Sequence, residues 1–189
     1  VDPVRDADDL DIELIVSDLV VVEKRMERVE KDRKKSRSAE LDREFDLLQR
    51  CKTALEDNRP LRTLELTAEE EKIIRGFQFL SQKPMLYVLN IGEAEAEKLH
   101  AIEEEYRTGI LAGRPGTGVA AICGKIEAEL AELSGDDAKE MMETYGLTES
   151  GLERLIQRTY GLLGLMSFLT AGDTEVRAWT IPKHCTAQK

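Results

Sequence analysis

Residues 83–93 read Lys-Pro-Met-Leu-Tyr-Val-Leu-Asn-Ile-Gly-Glu, and this stretch decides the fold class. The apolar run 85–89 has the length of a strand buried on both faces of a parallel sheet, and the proline before it breaks the preceding helix. Open α/β sheets bind ligands at the carboxyl ends of their strands, which is where Asn90 and Glu93 lie. The stretch therefore predicts an α/β protein with a candidate ligand site directly after this strand.

A second strand follows after one helical segment. Residues 93–106 are polar and helical in pattern, residues 113–118 are rich in glycine, and residues 119–123 (Val-Ala-Ala-Ile-Cys) form another short apolar run. This order predicts one strand-helix-strand unit, since parallel neighbours need such a crossover. Further elements are predicted downstream, namely helices at 126–133, 136–145 and 151–163 and a β-rich piece at 175–181.

The first part of the chain predicts an antiparallel helical hairpin. Apolar residues recur at steps of mostly three and four from Asp8 to about Ser36, and they do so again from Leu41 to Leu55. Two such narrow stripes are typical of two helices that pack on each other. The first stripe contains Leu10, Leu14, Leu19, Val22, Met26 and Val29, and the second contains Leu41, Phe45, Leu48, Cys51 and Leu55.

Two local signals mark the segment that follows the hairpin. The second helix should end near residues 58–60, because the residue before Pro60 is biased away from the helical region. Thr67-Ala-Glu-Glu70 then matches a capping box, in which the Thr67 hydroxyl and the Glu70 carboxylate each accept from a free amide. A short helix through Phe79 is expected from there.

The composition describes an acidic globular chain. Among 189 residues, 27 Lys and Arg against 38 Asp and Glu give a net charge of −11, which excludes a uniformly basic nucleic-acid coat. The longest apolar runs are far shorter than the roughly 20 residues that cross a bilayer, so we expect no membrane association. Cys51, Cys123 and Cys185 lie far apart, which predicts neither a disulfide framework nor a zinc site and favours the cytoplasm.

The end of the predicted hairpin is basic although the whole chain is acidic. Between Lys24 and Arg37 there are eight basic and three acidic residues, a net charge of +5. Such a positive end suits contact with the phosphate backbone of RNA or of a ribosome, and a solvated charged face explains the charge pattern equally well. The candidate contact residues are Lys31, Arg33, Lys34, Lys35 and Arg37.

Other motifs do not support catalysis or metal binding in this chain. Residues 118–126 look like a phosphate loop, but five residues rather than four separate the glycines, and Ile126 replaces the magnesium-binding Ser or Thr. His100 and the pair His184-Cys185 lack partners at catalytic or ligand spacing. We therefore predict no catalytic residue and no metal ligand here.

Several segments taken together resemble one protein family. Besides 83–93 and the hairpin that begins near Asp11, they are Val1-Asp-Pro-Val-Arg-Asp6, 125–133, 145–152 and 168–181. In this order they resemble the YchF or Obg-like ATPase family over essentially the whole chain, and the last segment is the most specific. In that family a P-loop nucleotide domain carries an inserted helical arm and is followed by a TGS domain.

The resemblance implies a domain organisation. Residues 1–83 would be mostly the helical arm, residues 84–165 the C-terminal part of the P-loop NTPase domain with its parallel sheet, and residues 166–189 the start of the β-rich TGS domain. The chain begins with Val1 rather than Met, and Lys189 falls within an element. We therefore expect part of a longer protein.

The resemblance also implies a nucleotide site. The family has Asn-x-x-Glu where related GTPases have Asn-Lys-x-Asp, which implies a preference for ATP and leaves GTP open. Asn90 and Glu93 match those positions, and Ile91 lies where a neighbouring residue shapes the base pocket. The loop Cys123-Gly124-Lys125 corresponds to a second base-side loop, which is Ser-Ala-Lys in many relatives. A carboxylate moved or lengthened in this way no longer pairs well with the two donors of guanine.

The implied function is that of an ATP-binding and ATP-hydrolysing regulator with Mg²⁺ as cofactor, associated with the ribosome or RNA and monomeric in the cytoplasm. The family's phosphate loop and magnesium ligands precede the segment that matches this chain, so we expect this chain alone neither to hydrolyse ATP nor to bind it tightly. Two alternatives stay open. One is a non-enzymatic RNA- or ribosome-binding arm, and the other is a coiled-coil protein that dimerises through its apolar stripes.

Overall fold

The computed structural model describes residues 2–36, 38–111 and 114–186. Val1, Arg37, Gly113 and Lys189, which entered the predictions above, lie outside the described residues. The chain divides into two units, one made of residues 1–84 with 113–116 and the other of residues 85–112 with 117–189. The three-part domain division inferred from the resemblance stays a prediction.

The first unit is built on two long helices, α1 (Pro3–Lys35) and α2 (Ala39–Glu56). Helix α1 begins five residues before the predicted start, because Asp2 accepts hydrogen bonds from two free amides and Pro3 occupies the first helical position. Ion pairs join Arg33 to Asp42 near the tip and Lys52 to Glu23 farther from it. This pattern shows that the two helices run antiparallel, as predicted.

The predicted apolar stripe of α1 is confirmed at Val22 and Val29, which are fully buried, but the buried face differs from the prediction nearer the start of the helix. Leu10 is 44% exposed, whereas Asp11 and Asp18 are buried next to Ile15. Spacing of apolar residues could not identify a helix face that contains carboxylates. The stripe of α2 was predicted correctly in its centre, where Leu48, Cys51 and Leu55 are buried.

The segment after the hairpin contains a short helix, α3 (Ala68–Ile74), between two 3-10 turns at Leu61–Thr63 and Arg75–Phe77. The capping box between Thr67 and Glu70 is present as predicted. The helix is shorter than predicted, since the turn after it ends at Gln78, which has a left-handed φ of 54°.

The second unit contains the predicted parallel strands, β1 (Met85–Asn90) and β2 (Thr117–Ile122). A 3-10 segment (Glu93–Lys98) and helix α4 (Leu99–Ile110) connect them. Residues 119–121 of β2 are buried, but Val88 in β1 is 44% exposed. The expectation that β1 is buried on both faces is therefore wrong. Among the described residues, other parts of the chain pack only on the face of β1 that carries Tyr87.

Three helices and a β-hairpin follow. They are α5 (Gly124–Leu130), α6 (Gly135–Thr144), α7 (Gly151–Leu162), β3 (Leu165–Ala171) and β4 (Val176–Pro182). The helices and β4 were predicted, whereas β3 was missed because its apolar residues do not alternate with polar ones. Strands β3 and β4 pair antiparallel, with Phe168 opposite Trp179. Within the described ranges, no helix is both long and apolar enough to cross a membrane.

Candidate functional site

Two loops meet where β1 and β2 end. Residues 90–93 follow β1, and residues 123–125 follow β2 and start α5. The strands are parallel and in register, so their carboxyl ends lie at the same edge. The backbone amide of Ile91 donates to the carbonyl of Ile122 at 2.9 Å, which continues the strand pairing into the loops. The six residues predicted for base binding are thereby brought together.

Asn90 links the two loops through its side chain. Its Oδ1 accepts a hydrogen bond from the backbone amide of Gly124 at 2.9 Å. A Cβ added at Gly124 would lie 3.1 Å from this oxygen, which is closer than almost all such contacts. Glycine at position 124 therefore permits the close approach of the Asn90 side chain to the start of α5.

Glu93 and Lys125 form a second link between the loops. Lys125 Nζ lies 2.7 Å from Glu93 Oε2 and donates a hydrogen bond to it. This bond raises the pKa of Lys125, so the ammonium group stays charged at neutral pH. The Lys125 side chain is 66% exposed and that of Glu93 is 33% exposed, so the pair adds little to stability. Among the described residues, no group other than Lys125 donates to the Glu93 carboxylate.

Ile91 and Cys123 anchor the two loops in a small apolar cluster. Cys123 is buried in a small cluster with Ala96 and Ile126, and Ile91 packs against that cluster. A contact from Cys123 to a ligand would therefore have to come from its backbone. The roles of these residues in base binding stay predictions.

Glu127 holds α5 against the start of α7. Its carboxylate accepts from the backbone amides of Gly151 at 2.7 Å and Leu152 at 3.3 Å, which are free at a helix N-terminus. A Cβ on Gly151 would lie 2.7 Å from the Glu127 carboxyl carbon. Because Glu127 lies one turn after Gly124, this contact fixes the helix that carries the second loop.

Glu103 is a positioning residue that sequence reasoning missed. Its Oε2 accepts from the backbone amide of Ala121 in β2 at 3.1 Å, next to the second loop. Arg158 donates a hydrogen bond to the other oxygen, Oε1. Arg154 Nη1 lies 3.6 Å from Oε2. In the sequence Glu103 belongs to a run of three glutamates, and only its spacing on α4 from the buried Leu99 and Ile110 hinted at burial.

The basic end of the hairpin contains two kinds of residue. Lys31, Lys34 and Lys35 are exposed, and no ion pair joins them to a carboxylate of the described chain. Arg33 instead donates to Asp42 at 2.7 Å, and its guanidinium lies 4.5 Å from the ring centre of Phe45. Arg33 therefore fastens the two helices together, and Arg37 lies outside the described residues.

Comparison with known proteins identifies the relatives of this chain. It is 39% identical over 188 residues to the ribosome-binding ATPase YchF of Bacillus subtilis (strain 168), and 37% identical over 187 residues to the protein of that name from Escherichia coli O157:H7. Each match covers 99% of this chain.

The chain is homologous to the YchF ribosome-binding ATPases over 99% of its length. The structure of the Schizosaccharomyces pombe YchF GTPase matches 99% of this chain with a TM-score of 0.80 and 27% sequence identity. No family model matches. The chain spans about half the length of these relatives, with 51% of the B. subtilis protein and 51% of the S. pombe chain covered. The family resemblance and the α/β fold class predicted from the sequence are thereby confirmed.

Proposed function

We propose that this chain supplies the base-binding side of the nucleotide site in a cytoplasmic, ribosome-associated YchF ATPase that prefers ATP to GTP. The observation that carries the proposal is the joining of two polar loops at one sheet edge, through Asn90 with Gly124 and Glu93 with Lys125. Open parallel sheets bind ligands at this edge. The names of the bacterial relatives support ATP and the ribosome, and the name of the S. pombe relative keeps GTP open.

The polar groups of the two loops suit a purine base. Adenine offers one amino donor beside a ring nitrogen acceptor. The Glu93 carboxylate would accept from the amino group, and the Lys125 ammonium is a donor beside it. Gly124 keeps the start of α5 free of a side chain. These residues would bind and orient the base.

The chemistry of the reaction belongs to the bound nucleotide and its cation, since MgATP supplies the phosphoryl group that is transferred to water. Within the described residues, no three His, Cys, Asp or Glu side chains lie close enough to hold a metal ion.

Replacing Glu93 by alanine should weaken ATP binding by about tenfold to a hundredfold, because a charge-assisted hydrogen bond to the base is lost. The measurement is calorimetric titration of the full-length protein that contains this chain with Mg²⁺ and a non-hydrolysable ATP analogue. Glu95→Ala is the matched control, since Glu95 is exposed in the same 3-10 segment. Equal affinities for the Glu93→Ala variant and the unmodified protein would contradict the proposed role of Glu93.

A second function is contact of the basic hairpin end with ribosomal or other RNA. It is favoured by Lys31, Lys34 and Lys35, which are exposed and form no ion pair with a described carboxylate. Replacing Lys31, Lys34 and Lys35 by Glu should weaken ribosome binding at least about tenfold and reduce its salt dependence, because fewer counterions are released. Arg33 is left unchanged because it holds the hairpin together.

Ribosome co-sedimentation at several salt concentrations measures this effect. The control is a variant with three exposed lysines of other segments, Lys83, Lys98 and Lys139, changed to Glu. If both triple variants lose ribosome binding equally, the hairpin end is not a specific contact. ATP affinity should be the same in the hairpin variant and the unmodified protein.

We further propose that the protein acts as a monomer. The centres of the two apolar stripes pack against each other within one chain, where Val22, Val29, Leu48 and Leu55 belong to one buried cluster. This internal packing leaves those side chains unavailable for the alternative, dimerisation through the stripes. A sedimentation mass that rises with concentration would favour the alternative.

A further inference from the structure

We propose that Lys125 determines which purine base the site prefers, because its ion pair with Glu93 leaves the carboxylate with one unoccupied oxygen instead of two. This inference rests on the proposed nucleotide site and deepens it. It concerns the discrimination between adenine and guanine nucleotides and assigns that discrimination to a contact between two protein side chains.

The geometry of the pair defines what Glu93 offers to a base. Oε2 accepts from Lys125 Nζ at 2.7 Å, and no described residue donates to Oε1. A carboxylate with both oxygens unoccupied accepts two parallel N–H groups side by side. Guanine presents such a pair in its ring N1–H and its 2-amino group, whereas adenine presents the single 6-amino group. The occupied Oε2 therefore weakens two-point recognition of guanine and leaves one-point recognition of adenine intact.

The charge of Lys125 acts in the same direction. Its ammonium group lies beside the unoccupied oxygen and stays protonated, since the hydrogen bond to Glu93 raises the pKa of Lys125. In adenine the ring nitrogen next to the amino-bearing carbon is an acceptor, so it is compatible with a neighbouring donor. In guanine that ring nitrogen carries a hydrogen, and two donors facing each other repel.

The two loops hold the pair in place without depending on it for folding. The Asn90–Gly124 hydrogen bond fixes the residue directly before Lys125. Both members of the pair lie partly in solvent, with side-chain exposures of 66% for Lys125 and 33% for Glu93. Exposed pairs contribute little to stability, so a substitution at Lys125 tests specificity rather than folding.

The test compares nucleotide affinities of the full-length protein with and without Lys125→Met. Dissociation constants for non-hydrolysable ATP and GTP analogues with Mg²⁺ are measured by calorimetry. We expect the ratio of the GTP constant to the ATP constant to fall about tenfold in the Lys125→Met variant, as is typical for one discriminating hydrogen bond. Lys139→Met, at another exposed lysine, is the control and should keep the original ratio.

A double-substitution cycle shows whether Lys125 acts through Glu93. In a Glu93→Ala background, Lys125→Met should change the ratio by much less than tenfold, because there is no carboxylate to occupy and none to hold the ammonium group beside the base. A shift of similar size in that background would overturn the inference. It would also be overturned if Lys125→Met weakened both nucleotides equally or changed neither. If the unmodified protein bound neither analogue, the proposed function itself would fail.

Discussion

Replacing Glu103 by glutamine is expected to lower the free energy of unfolding of the second unit by about 3–5 kcal/mol. The carboxylate is buried and lies between the guanidinium groups of Arg154 and Arg158, and it also accepts from the Ala121 amide. Glutamine keeps an acceptor for the amide but removes the negative charge. Arg154, whose side chain is only 2% exposed, cannot regain its hydration.

The geometry around Arg154 explains why the loss is large. After the substitution, Glu149 is the one described carboxylate that remains within ion-pair distance of Arg154, with its Oε1 3.4 Å from Arg154 Nη2. Removing one partner of a buried ion pair lowers stability by more than the intact pair contributes, because the desolvation of the remaining charge is no longer compensated. Strand β2 would also be held less firmly at Ala121, close to the second loop of the candidate site.

Urea unfolding followed by circular dichroism measures this effect, and hydrogen exchange at the Ala121 amide localises it. Glu104→Gln is a matched control, since Glu104 is the next residue on α4 and its ion pair with Arg107 is exposed. We expect no measurable change in stability for the control. A Glu103→Gln protein as stable as the control would show that the buried arginines do not need this carboxylate.

Replacing Asp18 by alanine should lower the free energy of unfolding of the first unit by about 3–5 kcal/mol. Two buried donors and one partly buried donor lose their acceptor at about 1–3 kcal/mol each, and these losses are not fully additive. The Asp18 carboxylate accepts from the Leu80 amide at 2.8 Å, the Ser81 amide at 2.7 Å and the Ser81 hydroxyl at 2.6 Å. Asp18 thus fastens α1 to a segment more than sixty residues later in the sequence.

The effect should extend beyond the immediate contacts. Ser81 Oγ accepts from the Leu61 amide at 3.2 Å, and the Ser81 carbonyl accepts from the Arg62 amide at 3.0 Å. Loss of Asp18 therefore loosens two connecting segments at once. Hydrogen exchange at the Leu80 and Ser81 amides should increase together.

Asp9→Ala is the control for this experiment, since Asp9 is exposed on the same helix. It should leave the urea midpoint unchanged. An isosteric variant, Asp18→Asn, should show a smaller loss than alanine, because its amide oxygen still accepts. A greater loss for asparagine than for alanine would indicate that steric repulsion of the donors, rather than their lack of an acceptor, determines the effect.

Much of the candidate site followed from local sequence features. The apolar runs before Asn90 and Cys123 predicted two parallel strands, and the family resemblance implied that the loops after them belong to one site. The register of the two strands, in which Asn90 lies opposite Ile122, was not predicted and comes from the structure. The hydrogen bond from Gly124 to Asn90 and the ion pair between Lys125 and Glu93 were not predicted, since side-chain pairing depends on rotamers and on the spacing of the loops.

Strand β3 shows where local patterning was insufficient. Its residues, 165–171, mix apolar and small polar side chains without a period of two. The strand forms through pairing with β4, where Phe168 faces Trp179. Cross-strand pairing supplies the stabilisation that the isolated segment lacks.

The amino-acid sequence alone established the helical hairpin, the two strands of the parallel sheet and the loops at their ends, because periodicity and helix-breaking residues act over a few positions. The tertiary structure decided which charged residues are buried. Glu103 and Glu104 are identical neighbours in the sequence, yet the helix turns by about 100° between them. The Glu103 carboxylate therefore contacts β2 and two arginines of α7, whereas the Glu104 carboxylate is exposed to solvent. The sequence around the two residues does not reveal this difference, because the partners that compensate a buried charge come from distant parts of the chain.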